Sequence, residues 1–220
     1  MNSLFDPESS LWIIARQSEP DERHHFYLLL DAYAANSPGA PQIVGVHFER
    51  DQAAGTIRAD MTTEALIPLA QSWLVGRGAD PSRVLEPSSN WPEPNDPETK
   101  RIEDYLRTFG DHLEVHETYT QHEEPFETWV IATDTRSSAD PAPAEVFVWR
   151  RPDNDAAYTV RHGQFASLDA AYAWAQDTSA PLPAPARTRA ARHSTINTTG
   201  PNASSSAASL APPAGRRPTR

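Results

Sequence analysis

LWIIARQ at residues 11–17 and LEVHETY at residues 113–119 open the two stretches whose reading decides the fold. Each reads as a first strand, and each is followed by an acidic loop with one proline, SEPDER at 18–23 and QHEEPFE at 121–127. A strongly apolar strand comes next in both, FYLLLDA at 26–32 and TWVIATD at 128–134. The second loops, NSPGAP at 36–41 and SSADPAP at 137–143, are again turn-forming. Third strands follow at 42–49 and 145–150, with hairpin loops RDQAAG and RPDNDAA. The fourth strands, TIRAD from Thr56 and TVRHG from Thr159, set Thr56 over Thr159, Ile57 over Val160 and Arg58 over Arg161.

A helical stripe closes each stretch. Leu66, Leu69, Ala70, Trp73 and Leu74 recur at helical spacing, as do Leu168, Ala171, Tyr172 and Ala175. Pro68 lies inside the first stripe, so that helix starts near Ile67 or kinks. Ser167 suits the N-cap of the second, with Asp169 in its first turn. An extra helix over 100–109 precedes the second stretch without a counterpart in the first. The pattern predicts an α+β protein of two tandem ββββα units with mainly antiparallel sheets, related by a duplication offset of about 102 residues.

The boundaries follow from composition. Residues 1–75 form the first unit, and residues 76–98, rich in proline, a linker in which Trp91 is available to dock. Residues 99–178 hold the extra helix and the second unit. Residues 179–220 are Ala, Pro, Ser and Thr with almost no large apolar side chain. Such a segment buries too little surface to offset its ordering entropy, so it is expected to be a disordered tail. All six of its charges are arginines, which leaves 13 basic against 30 acidic residues elsewhere, a net of −17 within the chain's −11. An acidic body with a basic tail is the chain's main electrostatic feature.

Several chemistries lack their residues. There is no cysteine, hence no disulfide and no thiolate nucleophile or ligand. No phosphate-cradling glycine motif and no GxSxG elbow occurs, and no cofactor is implied. The start of the chain has neither the basic nor the apolar run of a secretory signal, and no apolar run is long enough for a membrane span, so a cytoplasmic location without membrane contact is expected.

Two constellations remain. On a strand, His112, Glu114 and His116 would share one face, a plausible divalent-metal set to which His122 or His47 could add a ligand. The first stretch carries Trp12 and Ile14 in place of Glu114 and His116, which argues instead for a solvated strand face. The register-matched Arg58 and Arg161 could meet an acidic partner or phosphates, or could pair with the chain's own carboxylates.

In element order alone, the arrangement resembles the Whirly and Pur-type binders of single-stranded nucleic acid, which implies antiparallel sheets presenting aromatic and basic side chains to bases. The acidic body argues against that use of the sheets and leaves the tail as the segment suited to nucleic acid. The expected role is therefore a non-catalytic acidic binding or adaptor protein of inhibitor or immunity type, acting on another protein. Single-stranded nucleic-acid binding is the alternative, and a metal-dependent enzyme using the His112/Glu114/His116 face is a second.

Overall fold

The computed structural model describes residues 10–37, 39–84, 91–121, 124, 126–139, 142–152 and 157–185. The chain divides into a unit spanning Met1–Ala186 and a second spanning Arg187–Arg220. The second, which holds most of the expected tail, lies outside the described residues.

The fold is α+β, as the strand and helix patterns predict. Strands β1 (Leu11–Ser18), β2 (His24–Asp31), β3 (Ile43–Asp51) and β4 (Thr56–Glu64) form one antiparallel sheet in chain order. Helix α1 (Ile67–Val75) follows, then a single helical turn, α2 (Pro81–Val84), and a two-residue strand, β5 (Glu93–Pro94). After α3 (Pro97–Phe109) come β6 (Leu113–Gln121), β7 (Phe126–Asp134), β8 (Ala144–Arg151), β9 (Ala157–Phe165) and α4 (Leu168–Ala175). The second sheet has the order β5-β9-β8-β7-β6, with β5 parallel to β9 and the rest antiparallel.

Local chemistry sets the helix starts. Pro68 sits in the first turn of α1, where a missing N–H costs nothing, so the helix begins there rather than kinking. Asp96 caps α3 by accepting from Thr99 N at 2.7 Å, with Pro97 in the first turn, which moves the start three residues ahead of the stripe that marked it in the sequence. Ser167 caps α4 by accepting from Ala170 N.

The central strands β2, β3, β7 and β8 are apolar on both faces, and a sheet built on such strands needs two covers. The second sheet has both. Trp129, Ile131, Val146 and Val148 pack against Ala171 and Trp174 of α4, and Val130, Phe147 and Val160 pack against Leu69 of α1 and Ile102 and Leu106 of α3. The first sheet lays Phe26, Leu28 and Ile43 on Ala70 and Leu74 of α1. On its other face, Leu29, Val44 and Val46 cluster with Leu11, Tyr27 and Phe48, all of them strand residues. Among the described residues no helix joins that cluster.

The proline-rich stretch contributes to the core. Ala79 and Val84 are buried with the first sheet, and Trp91 packs against the clusters of both sheets. Residues just beyond α4 are also fastened. Trp174 Nε1 donates to Ala180 O at 2.9 Å, Leu182 packs on the α4 cluster, and Gln164 N donates to Pro183 O at 3.2 Å. The expected tail is therefore docked through Pro183.

The ladders correct one register. Each first strand carries a bulge at the same place, Ile14 in β1 and His116 in β6. Counting across from the bulges, Leu28, Gly45 and Thr62 line up as Ile131, Val146 and Gly163 do. Arg58 then corresponds to Thr159, and Asp60 to Arg161, so the two arginines are not equivalent. The cause is the second loop: residues 135–143 are two fewer than residues 32–42, and the fourth strand shifts by that amount.

Candidate functional site

An edge strand presents alternate backbone N–H and C=O groups with no sheet partner, so the edges of the two sheets are the natural places to look for a binding surface. Asp31 N donates to Gln42 O and Arg50 N to Arg23 O, both at 2.7 Å. These bonds set the even-numbered residues of β3 against β2 and the odd-numbered ones against β4. Through the β3–β4 register, Thr56, Arg58, Asp60, Thr62 and Glu64 bond inward. Ile57, Ala59, Met61 and Thr63 turn their backbone groups outward.

The positions corresponding to these four in β9 are Tyr158, Val160, His162 and Gln164, and the edge there is covered along its length. Tyr158 O accepts from Asn95 N at 2.8 Å beside β5, Val160 N donates to Thr99 Oγ1 at 3.1 Å, and Gln164 N donates to Pro183 O at 3.2 Å. Two further edges are interrupted. The bulge at Ile14 breaks β1, and Arg83 Nη1 donates to Ser18 O at 3.3 Å near its end. The bulge at His116 breaks β6, and Gly39 N donates to Thr120 O at 3.1 Å. Only β4 is unbroken and bare among the described residues. Its side chains are exposed with it, Ile57 at 67% and Met61 at 69%, on the face that no described helix covers.

The residues singled out by the sequence fall in different places. Arg58 lies on the open edge, its Nη2 3.4 Å from Asp60 Oδ1, with both groups accessible to water. Arg161 is a fastener: its Nη2 lies 2.6 Å from Asp96 Oδ2 and its Nη1 donates to Thr99 Oγ1 at 3.2 Å. That guanidinium, followed by the Thr99 amide, holds the Asp96 carboxyl at about 2.

His112, Glu114 and His116 do not form the expected strand face. His112 belongs to the 3-10 turn Gly110–His112, with Nε2 3.8 Å from Asp111 Oδ1. His116 is the bulge residue, and its Nε2 hydrogen-bonds Thr133 Oγ1 at 2.8 Å. Glu114 pairs with Thr133, so Glu114 and His116 lie on one face of β6, and the expected set fails because His112 precedes the strand. His47 is in the first sheet, stacked between Phe26 and His24 and bonded to His24 Nδ1 at 3.0 Å. Burial, then the neighbouring His24, pushes its pKa down. His122 lies outside the described residues. Among the described residues no group of three or more His, Cys, Asp or Glu is placed to hold a metal ion.

The sequence reading missed a cleft between the halves. A part of about 60 Å³ adjoins a second of about 210 Å³, and the two share Gln42, Trp91, Thr120, Thr128 and Trp149. Glu103 and Tyr158 also line the smaller part. Tyr158 Oη donates to Glu103 Oε1 at 2.5 Å, and Arg107 Nη1 stands 3.8 Å from Glu103 Oε2. Burial pushes the pKa of both Glu103 and Tyr158 up. The carboxylate is thus engaged within the fold, tying α3 to β9, and the cleft reads as a packing seam. In the sequence, Glu103 stands beside the stripe residue Ile102, and nothing marks its partner 55 residues away.

No helix among the described residues is long and apolar enough to cross a membrane. No protein-family model, no curated protein and no solved structure matches this chain.

Proposed function

We propose that this chain is a non-catalytic binding protein that takes a protein partner by strand addition at the edge of β4, in the manner of an adaptor or inhibitor. The observation that carries this reading is the contrast between two corresponding edges. Outward backbone groups of β9 meet Asn95, Thr99 and Pro183, whereas those of β4 meet no described residue. Main-chain hydrogen bonds to such an edge supply affinity, and neighbouring side chains supply selectivity. Exposed Ile57 and Met61 provide apolar contact beside the edge, where a monomer gains nothing from them.

The test uses a photo-crosslinking residue at Ile57, with Glu98 on the exposed start of α3 as control, in cells making the protein. An adduct is expected from position 57 and not from position 98. It should disappear in Ala59→Pro, which removes one outward N–H and leaves the β3–β4 ladder intact. Equal adducts from both positions, or an adduct that persists in Ala59→Pro, would contradict the reading. An adduct destroyed by nuclease would favour single-stranded nucleic acid instead.

A further inference from the structure

Resting on that reading of β4, we infer that one partner of this edge is a second copy of the chain, paired antiparallel through β4 about a two-fold axis at Ala59. The strand is self-complementary about that residue. Reading outward from Ala59, Arg58 balances Asp60, Ile57 balances Met61, and Thr56 balances Thr62. A two-fold axis at Ala59 therefore places Arg58 opposite Asp60 of the second copy on one face, and Ile57 opposite Met61 on the other.

Backbone direction selects the same arrangement. Antiparallel pairing joins outward-facing residues to outward-facing residues, and Ile57, Ala59 and Met61 are the outward set. The pairs Ile57–Met61 and Ala59–Ala59 then exchange hydrogen bonds. Arg58 and Asp60 fall in the closer, non-hydrogen-bonded pairs, where side chains interact most strongly. Because Arg58 already lies 3.4 Å from Asp60 in its own chain, the pairing sets four charges in alternation. Moving the axis by one residue puts Arg58 opposite Arg58, or Asp60 opposite Asp60, and like charges directly opposite destabilise a sheet. The result is an eight-stranded sheet with an isologous interface, the kind that closes as a dimer. The two exposed apolar side chains are each matched by the other.

Charge variants test the pairing. Arg58→Asp leaves acids at both positions, and Asp60→Arg leaves bases at both. Each variant alone should self-associate about tenfold or more weakly than the parent chain, because both symmetric pairs turn repulsive. Mixed one to one, the two variants should dimerise again, since every cross-strand pair then joins opposite charges. Sedimentation of the parent chain, each variant and the mixture reads the outcome, with circular dichroism confirming that each is folded. Single variants that dimerise like the parent, or a mixture that stays monomeric, would overturn the inference. So would a parent chain that is monomeric throughout. If that monomer still gives an adduct with a different protein from position 57, the self-pairing falls and the reading of β4 as a docking edge stands. Loss of both results removes the two together.

Discussion

The two fourth strands, β4 and β9, occupy corresponding places in their sheets and have opposite fates. β9 is roofed by β5, Thr99 and Pro183 on its edge, and by Ile102 and Leu106 of α3 on its face. β4 has the same outward backbone geometry with none of these covers among the described residues. Beside α3, the covers of β9 come from two segments the sequence marked as least structured: β5 with Asn95 from the proline-rich stretch, and Pro183 from the start of the tail. A sheet therefore becomes interior or available according to what the connecting segments do, and its strands alone do not decide it.

The contrast can be broken first at α3. Leu106 is fully buried between α3 and the second sheet. Leu106→Ala should cost about 3 kcal/mol of unfolding free energy in urea denaturation, the range for a large-to-small change in a packed core. Met61→Ala, on the bare strand, should change stability by less than about 0.5 kcal/mol, as exposed sites do. Equal losses at the two sites would remove the distinction between covered and open strands.

Smaller changes sharpen the comparison. At Gly163, an added Cβ would lie 2.9 Å from Leu182 Cδ2 and 3.1 Å from the Pro183 carbonyl. Gly163→Ala should lift that segment off the edge at a cost of about 1–2 kcal/mol. Faster hydrogen exchange at Gln164 would report the lifting. Asp96→Ala removes the N-cap of α3 and should lower the midpoint of urea unfolding, by less than Leu106→Ala does. Asp96 also predicts a pH dependence. Its folded pKa lies below its ordinary value of 3.8, at about 2, so its contribution is present above pH 3.8 and lost as the pH falls toward 2. Asp96→Asn should flatten the stability profile across that window. His47 carries the opposite kind of linkage. Its folded pKa is lowered, so the neutral form is preferred and stability falls as the pH drops below 6.5. His47→Gln should remove that part of the acid sensitivity while leaving self-association at neutral pH unchanged.

Much of the fold was legible. Strand order, both closing helices, the Ser167 cap and the Pro68 start follow from periodicity and local preference, which act over a few residues. The docking of Trp91 was open to reading because a large aromatic side chain in a polar stretch gains by burial. Other features depend on long-range pairing and left no local mark. A 3-10 turn at Gly110–His112 takes His112 off the strand face that spacing alone suggested. The two-residue difference in loop length breaks the apparent match of TIR with TVR, although the letters agree. The roof of β9 rests on Thr99 and Pro183, residues that look like ordinary helix-start and linker residues until the sheet is assembled. The openness of β4 was illegible for the same reason, since nothing in TIRADMT says what lies beside it.

The central claim, that β4 is an open docking edge while β9 is a closed one, is tested most directly by residue-resolved amide hydrogen exchange at two protein concentrations. In dilute solution Ile57, Ala59 and Met61 should exchange rapidly, while Val160 and Gln164 exchange slowly. On concentration the three β4 amides alone should gain protection, as pairing of two copies requires. If Ile57, Ala59 and Met61 are as protected as Val160 in dilute solution, the edge is already covered and the account is wrong.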